Sequence, residues 1–408
     1  MSHKSTYRWV ILSLLFAGTT INYLDRTVLS VLLPVIQKEI VISPVVYGYI
    51  LSAFQFTYTL GLLVVGFVID RLGTKLGYLL SIFLWSIAGA MHGFCGTGFC
   101  LAGWRGALGL TASGNFPAAI KSVAEWFNIQ DRAFATSLFN SGSSISSIIG
   151  PPIIAAIALA AGWRSAFFAF GGVGFIILIL WHIFYKKPET KHSPGEAIKI
   201  PWSELLRHRE TVGIMLGKFL TDPVWWFYLY WMPTYLNTQR GFDLKGIAIA
   251  IPLIYMIATL VGFVGGWTPG YLMRLGWSVD RARKTTMLVS ALMLPISALA
   301  VFAANPWVAI VLVSMACGAH NSWSANIFTL CSDCFPAKAV ASVTGLGGFA
   351  GGIGGILFSA LIPGFLVQYF GYVPVFILMG FLHPLAFIVI KVFIKTIKQV
   401  ELNEIKLL

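Results

Sequence analysis

Three charged residues, Asp25, Arg26 and Arg105, lie inside long apolar stretches of this 408-residue sequence. An ionised side chain at membrane depth costs about 2.5–3.5 kcal/mol unless it is paired or hydrated, so such groups face a cavity or a partner. An arginine presents a planar fork of donors that matches a carboxylate through two parallel hydrogen bonds. We therefore predict that Arg26 and Arg105 bind an organic anion. The alternative is that internal partners such as Asp25 hold both arginines.

Asp25 is also the titratable candidate for a proton that accompanies the anion. If an anion captures Arg26, the stabilisation that this arginine gives to the Asp25 carboxylate weakens, and protonation becomes linked to anion binding. Pairing that serves the structure alone is the alternative. Asp222 resembles Asp25 by its position in the second half, although Pro223 after it also fits a helix kink that Asp222 supports.

The spacing of other reactive residues does not favour an enzyme. Cys331 and Cys334 form a Cys-x-x-Cys pair, but neither a second such pair nor a histidine pair accompanies them. We interpret both as small residues packed near a helix end, with a metal or redox site as the alternative. The sequence shows no nucleophile–base cluster, metal-ligand cluster or nucleotide-binding loop. We therefore expect no catalysis and no cofactor, with the proton as coupling ion.

The elements that must position these residues are apolar helices. Hydrophobic residues make up 57% of the chain and charged residues 11%, and the apolar runs have about the 20-residue length that a helix needs to cross a bilayer. They lack the two-residue alternation of barrel strands, so we predict an all-α, polytopic membrane protein. The twelve predicted runs lie at 9–33, 45–69, 76–94, 97–120, 133–158, 165–185, 211–236, 247–272, 284–303, 306–330, 340–366 and 371–395.

The distribution of basic residues predicts the orientation. The net charge is +13, but one set of loops holds most of the Lys and Arg, while the opposite set holds only Lys38, Arg164, Arg240 and Lys245. The positive-inside rule then places both termini in the cytoplasm. The first run lacks a small-residue cleavage pattern, so we expect it to remain as a helix. We predict a multi-pass protein of a bacterial inner membrane that contacts lipid and not nucleic acid.

A polar segment at residues 186–210, which carries prolines among its charges, is typical of a linker. It predicts two domains, a six-helix bundle at 1–185 and a second at 211–408, joined on the cytoplasmic side. Asp25 and Asp222 lie at corresponding places in the first and seventh helices, which indicates two similar halves. Transporters built from such repeats bind substrate near the bilayer midplane.

The loop after the second helix has the pattern Gly66-x-x-x-Asp70-Arg71-x-Gly73-x-Lys75. Together with the two-bundle layout, it resembles the signature loop of the major facilitator superfamily, and the resemblance covers nearly the whole chain. It implies that Asp70, Arg71 and Lys75 form a cytoplasmic latch that holds one gate state. The second half has Gly270 where the family usually has an aspartate, so the equivalent latch lacks that acid.

Longer motifs resemble the anion:cation symporter branch of this superfamily. They lie at residues 21–26 and 109–121, and those at 163–164, 218–227 and 319–326 are similar to hexuronate transporters. The resemblance implies proton-coupled import of galacturonate or glucuronate by alternating access, and we expect a monomer. Aldonates and aldarates such as galactonate or glucarate are alternative substrates, and a non-transporting membrane sensor is the alternative outside transport.

A sugar acid adds hydroxyl groups and apolar C–H faces to its carboxylate, so polar and aromatic residues on the predicted helices are candidate contacts. The predicted substrate site consists of Asn22, Tyr23, Arg26, Gln55, Tyr58, Arg105, Asn140, Ser143, Lys218, Trp226, His320, Asn321 and Asn326. For each of the uncharged members, hydrogen bonding or aromatic packing between helices is the alternative.

One position departs from the pattern of the branch. The family usually has a glutamate, its expected proton-coupling carboxylate, where this chain has Ala112, two turns after Arg105 on the same helix face. Alanine cannot carry a proton or neutralise an arginine. Either coupling runs through Asp25 alone, or the chain is an engineered, transport-deficient variant. The agreement of the neighbouring residues with the pattern favours the variant.

Overall fold

The computed structural model describes residues 2–127, 129–186 and 201–401. Within these ranges the regular secondary structure is helical throughout, which confirms the predicted all-α fold. The α-helices of the described ranges are α1 (Ser2–Ile36), α2 (Pro44–Leu72), α3 (Thr74–Met91), α4 (Gly98–Ala112), α5 (Asn115–Trp126), α6 (Ile129–Ala161), α7 (Trp163–Phe184), α8 (Trp202–Leu205), α9 (Arg209–Arg240), α10 (Leu244–Arg274), α11 (Val279–Met293), α12 (Ile296–Leu299), α13 (Pro306–Cys334), α14 (Ala337–Gly354), α15 (Ile362–Phe370) and α16 (Tyr372–Phe393). A 3₁₀ turn, His92–Phe94, follows α3, and a π-helical segment, Gly355–Leu361, joins α14 to α15.

The twelve predicted apolar runs coincide, within a few residues, with these helices. Seven helical segments in the described ranges are long and apolar enough to cross a membrane by length and composition alone. Three runs predicted as continuous are interrupted: the fourth between α4 and α5, the ninth at Pro295 and the eleventh at the π-helical segment. Proline lacks the amide N–H that would continue the helix, and a π-helical turn is wider than an α-helical one. Mean hydropathy reports only the polarity of the side chains, so it does not reveal either kind of helix interruption.

The chain forms two compact units. Unit 1 comprises Met1–Thr190 and Leu229–Pro252, and unit 2 comprises Lys191–Tyr228 and Leu253–Leu408. The N-terminal part of α9 therefore belongs to unit 2 and its C-terminal part to unit 1. The predicted domains, 1–185 and 211–408, place α9 from residue 211 onward in the second domain. Residues 187–200 of the predicted linker lie outside the described residues, and α8 and the start of α9 occupy the rest.

In unit 1, close packing of α4 against α2 places Arg105 in the interior. A Cβ added to Gly109, one turn after Arg105, would overlap the carbonyl oxygen of Phe54 on α2. The side chain of Thr57 donates a hydrogen bond to the carbonyl oxygen of Gly106 at 2.7 Å in the same contact. Small residues permit such close approach of two helices, and here they bring the buried arginine up to its neighbours.

In unit 2, α13 contributes large side chains to the core. Trp323 and Ile327, one turn apart, are both fully buried. The indole Nε1 of Trp323 donates to the hydroxyl of Thr221 on α9 at 3.2 Å, since a buried tryptophan N–H needs an acceptor. This bond holds α9 against α13 beside the charged residues of α9.

The cysteines have two different fates. Cys95 and Cys100 form a disulfide next to the start of α4, a pairing that the sequence analysis did not predict. Cys331 and Cys334 are buried and free near the end of α13, which agrees with their interpretation as packed residues near a helix end. Among the described residues, no group of three or more His, Cys, Asp or Glu is arranged to hold a metal ion.

Candidate functional site

Arg105 is bound by the backbone of α1. Its side chain is fully buried, Nη2 donates to the carbonyl oxygen of Arg26 at 2.5 Å, and Nη1 donates to the carbonyl oxygen of Asp25 at 3.4 Å. Arg105 is therefore hydrogen-bonded to main-chain oxygens of Arg26 and Asp25, not to the Asp25 carboxylate that was the alternative expected from the sequence. Arg105 fastens α4 to α1 at the point where α1 carries Arg26.

Arg26 is surrounded by neutral groups. Its Nη2 donates to Oδ1 of Asn22, one turn earlier on α1, at 2.7 Å. The guanidinium carbon lies 4.5 Å from the ring centroid of Tyr23, 4.4 Å from that of Tyr58 and 5.3 Å from that of Phe54. Such contacts stabilise a cation without cancelling its charge. None of the ion pairs formed by the described side chains includes Arg26, and its buried Nε has no hydrogen-bond partner there.

Asp25 is buried against α3. It is 3% exposed, and its Oδ2 has no hydrogen-bond partner in the described part of the chain. A Cβ added to Gly89 of α3 would lie 3.1 Å from Asp25 Oδ1, so the carboxyl group occupies the space that this glycine leaves. A buried oxygen without a donor is unusual in a folded protein, and it leaves a position at which a proton can bind.

Gln55 carries a side-chain amide with no partner. The residue is 1% exposed, and neither Nε2 nor Oε1 forms a hydrogen bond with any described residue. Gln55 lies on α2 one turn before Tyr58, which places both on the helix face that carries the ring beside Arg26. An unpaired buried amide costs about 1–3 kcal/mol. A ligand with hydroxyl groups removes that cost when it binds.

Ala112 lies next to this cluster at the C-terminal end of α4. It is 1% exposed, and its carbonyl oxygen accepts a hydrogen bond of 3.4 Å from Nδ2 of Asn22. Because Asn22 also accepts the bond from Arg26, the backbone of position 112 is two hydrogen bonds away from the guanidinium. A longer acidic side chain at this position would therefore start beside Asn22.

Unit 2 also holds a buried cation, Lys218, and this one is paired with a carboxylate. Nζ of Lys218 lies 2.8 Å from Oδ2 and 3.1 Å from Oδ1 of Asp222, one turn later on α9. Lys218 is 2% exposed, and its Nζ lies 4.0 Å from the ring centroid of Phe328 on α13. Lys218 was predicted as a substrate contact, and its pairing with Asp222 was not predicted. Direct contact between Lys218 and a substrate stays a prediction.

Two histidines pair in the interior of unit 2. Nδ1 of His320 on α13 lies 3.2 Å from Nε2 of His383 on α16, and Trp225 stacks on His320 with ring centroids 5.7 Å apart. Both histidines are buried. His383 was missed by the sequence analysis. The available signal was a titratable residue, followed by Pro384, inside the last apolar run.

The two asparagines predicted on α13 already have protein partners. Asn326 donates to the carbonyl oxygen of Ser322 at 2.8 Å and accepts from Nη1 of Arg283 at 3.4 Å. Asn321 donates to the carbonyl oxygen of Ala258 at 3.4 Å. These contacts match the alternative of hydrogen bonding between helices. A role for either residue in substrate binding stays a prediction.

Asn140, Ser143 and Trp226 are the remaining candidates from the predicted substrate site. Asn140 is exposed on α6, and Ser143 uses its hydroxyl to donate to the carbonyl oxygen of Asn140 at 2.7 Å. Trp226 on α9 is partly buried beside Trp225 in sequence. No hydrogen bond in the described ranges joins any of the three to Arg26.

The predicted latch is described only in part. The side chain of Asp70 lies outside the described residues, Arg71 is exposed, and the carbonyl oxygen of Lys75 accepts from Nε1 of Trp181 at 3.3 Å. In unit 2, Nε of Arg283 lies 2.9 Å from Oδ2 of Asp333 on α13. Arg283 of α11 therefore has an acidic partner on α13, whereas the sequence was searched for an aspartate at position 270 alone.

Comparison with known proteins adds independent information. The model of the Major Facilitator Superfamily matches residues 15–359 and 272–406. A hexuronate transporter of Escherichia coli K12 is 32% identical over 94% of this chain and 93% of its own length. A galacturonate transporter of Dickeya chrysanthemi is 32% identical over 64% of this chain and 81% of its own length.

One further relative and one solved structure extend this comparison. A D-galactonate transporter of Escherichia coli O6:H1 is 28% identical over 90% of this chain and 91% of its own length. The crystal structure of a bacterial homolog of the human lysosomal transporter Spinster, inward-facing and occupied, superposes with a TM-score of 0.80 at 16% identity, covering 96% of this chain and 97% of that one. At that identity the likeness concerns the fold alone.

Proposed function

This chain belongs to the major facilitator superfamily, and we propose that it imports a hexuronate-type sugar acid, galacturonate or glucuronate, together with protons. The observation that carries the proposal is the buried guanidinium of Arg26, which rests on aromatic rings and one amide oxygen and forms no ion pair with a described side chain. A carboxylate ligand supplies the missing counter-charge through charge-assisted hydrogen bonds. The relatives named for hexuronate and galacturonate support this class of anion.

The residues next to Arg26 account for a preference for sugar acids over simple carboxylates. Tyr23 and Tyr58 offer apolar ring faces to the C–H groups of a sugar, as aromatic side chains commonly do. The amide of Gln55 offers donors and an acceptor to hydroxyl groups. A site that is built to bond a hydroxyl discriminates against ligands without one, because its buried polar group then stays unpaired.

Arg105 acts in this proposal as a positioning residue. It binds the carbonyl oxygens of Asp25 and Arg26, and so it holds the segment of α1 that presents both side chains. The proton is assigned to Asp25, whose Oδ2 is buried and without a partner in the described ranges. Anion capture by Arg26 and proton uptake by Asp25 are then adjacent events on one helix.

A panel of sugar acids tests the proposal on the purified full-length chain. We expect galacturonate or glucuronate to raise the unfolding temperature and acetate to leave it unchanged. Arg26→Ala should weaken binding at least about a hundredfold, because each lost hydrogen bond to a charged group is worth about 1.5–3 kcal/mol. Arg164→Ala, which removes an exposed arginine of unit 1, is the control. An undiminished shift with Arg26→Ala would remove Arg26 from the site.

An aldonate or aldarate is the second candidate substrate. The observation that favours it is the similarity to a D-galactonate transporter over 90% of this chain. An aldonate is an open chain, whereas a hexuronate presents a ring to Tyr23 and Tyr58. The same panel separates the two classes by the larger rise in unfolding temperature, and uptake into vesicles separates transport of either from binding alone.

The apolar helices and the family place this chain in a membrane. We propose the inner membrane of a bacterium, with both termini in the cytoplasm, because Lys and Arg concentrate in one set of loops. A protease site added at the C-terminus should resist protease in intact spheroplasts and be cut after lysis. Cleavage in intact spheroplasts would contradict this orientation.

A further inference from the structure

We propose that Asp222, paired with Lys218, is a second proton-binding site, located in unit 2. The proposal rests on the proposed function, since it assigns part of the proton coupling that the function requires. Position 112 of unit 1, beside Asn22, is an alanine, which cannot carry a proton. The Asp222–Lys218 pair offers a carboxylate at membrane depth that does not depend on that position.

Asp222 lies far from either end of its helix, as Asp25 does. Asp25 and Asp222 lie in the interior of long helices, α1 and α9, away from the ends. The other acidic residues in the described ranges lie in loops or in the first or last turn of a helix. A carboxylate within a spanning helix is costly and is typically used for ion or proton movement. Among the described residues of unit 2, Asp222 is the one acidic residue in such a position.

The charges of Lys218 and Asp222 balance each other. With both groups ionised, Lys218 and Asp222 form a two-contact ion pair of zero net charge, with distances of 2.8 and 3.1 Å. A hydronium ion transfers its proton to the Asp222 carboxylate: one O–H bond of the hydronium ion breaks, an O–H bond forms on Asp222, and water is released. The pair then carries one positive charge, and the Lys218 ammonium loses its anionic partner. Lys218 can then attract another anion, which couples protonation to anion binding.

Glycines of α14 pack against Lys218 and Asp222. A Cβ added to Gly351 of α14 would overlap the Asp222 carboxylate, and one added to Gly347 would lie 2.8 Å from Cδ of Lys218. The α14 face against the pair is therefore bare backbone without a charged group. A carboxyl group that gains a proton there meets no competing acid, and Lys218 is its sole described ion-pair partner.

Other titratable groups of unit 2 lie on the neighbouring helices. They include His320 and Cys331 on α13 and His383 on α16, and these three are buried. The two histidines bond to each other at 3.2 Å. Cys331 donates through its thiol to the carbonyl oxygen of Ile327 at 3.8 Å. In the described part of the chain, none of these three forms an ion pair with Lys218 or Asp222, so the Asp222 carboxylate is the group of the pair that can accept a proton.

A structural ion pair that supports α9 near Pro223 is the rival explanation, and neutralising both partners separates the two. In vesicles containing the full chain, we compare wild type, Asp222→Asn and the double variant Lys218→Gln/Asp222→Asn. Asp222→Asn keeps Lys218 and resembles the protonated carboxyl group, so it should retain counterflow exchange of galacturonate and lose the accumulation that a pH gradient drives. The double variant leaves no unpaired charge, so it should lose the same accumulation while its unfolding temperature stays near that of the wild type. The exposed pair, neutralised as Glu39→Gln/Arg164→Gln, is the matched control and should keep both activities.

Accumulation by the double variant at the wild-type level would overturn the proposal. A second measurement uses the wild-type chain and needs neither a variant nor a substrate. Dicyclohexylcarbodiimide attacks protonated carboxyl groups in apolar surroundings, so it should modify Asp222, as an adduct or as an amide to Lys218, more at acid pH than at alkaline pH. Mass spectrometry that finds Asp222 unmodified at acid pH would refute the proton site. Absence of wild-type counterflow with every sugar acid would contradict the proposed function instead.

Discussion

The two units hold buried cations in opposite ways. In unit 1, Arg26 bonds to a neutral amide and lies on aromatic rings, and Arg105 bonds to main-chain oxygens. In unit 2, Lys218 contacts both carboxylate oxygens of Asp222. Arg26 therefore has no anionic partner among the described side chains, whereas Lys218 and Asp222 balance each other's charge within one pair.

The choice of cation fits this difference. A guanidinium spreads its charge over a plane and tolerates aromatic contacts, so it can stay buried without a counter-ion and keep donors for a ligand. An ammonium is a compact charge that needs a close partner when it loses water. We therefore assign anion recognition to unit 1 and a charge-balanced proton site to unit 2.

Ala112→Glu is expected to give the largest effect, because it supplies unit 1 with a carboxylate next to Asn22. We expect the ratio of internal to external substrate that a pH gradient drives in vesicles to be higher than with the alanine. For one proton carried with each substrate, this ratio approaches about tenfold per pH unit. Ala112→Gln, similar in size but not titratable, is the control. No gain with the glutamate would mean that position 112 does not limit coupling.

Gly351→Ala and Gly89→Ala compare the packing around the carboxyl groups of Asp222 and Asp25. A Cβ at Gly351 would overlap the Asp222 carboxylate, whereas one at Gly89 would lie 3.1 Å from Asp25 Oδ1. We expect Gly351→Ala to lower the free energy of unfolding by about 1–3 kcal/mol, as overpacking does, and Gly89→Ala to lower it less. Thermal unfolding of the two purified variants measures this, and an equal loss in both would contradict it.

Gln55→Ala and Asn326→Ala should have opposite consequences. Gln55 has an unpaired amide, so its removal should leave the unfolding temperature undiminished and weaken sugar-acid binding about tenfold. Asn326 bonds to Ser322 and Arg283, so its removal should cost stability, about 1 kcal/mol per hydrogen bond. Ligand titration and thermal unfolding on both variants decide this. A loss of stability with Gln55→Ala would show that the amide has a partner.

The smallest effect concerns two ion pairs at the ends of helices. The hydrogen bond from Arg164 holds the pKa of Glu39 below its usual value, so the pair stabilises the fold above the ordinary glutamate pKa and loses this contribution as the pH falls through the lowered pKa. Because both side chains are well exposed, Glu39→Gln should lower the unfolding temperature slightly at neutral pH and not at all in acid.

The less exposed pair of Arg283 and Asp333 provides the comparison in unit 2. Asp333→Asn should lower the unfolding temperature at neutral pH by more than Glu39→Gln does, because the partners are screened less by solvent. Thermal unfolding across a pH series measures both. A loss with Glu39→Gln that persists unchanged in acid would contradict the role of its charge.

Local properties of the sequence were enough to predict the helices and the burial of Arg26. Hydropathy over about 20 residues identifies a spanning helix because the bilayer acts on each segment separately. The cost of a buried charge singles out Arg26, and helix periodicity places Gln55 and Tyr58 on one face of α2. The motifs identified the superfamily that the comparisons then showed.

Contacts between distant segments were decided only by the tertiary structure. The sequence does not show that Arg105 bonds to main-chain oxygens of α1, that His383 pairs with His320, or that Cys95 bonds to Cys100. Such choices depend on which helices pack together and at what rotation, and every buried polar group must find its partner after that packing is set. By itself the sequence determined which charges are buried; the fold determined which of them are already satisfied.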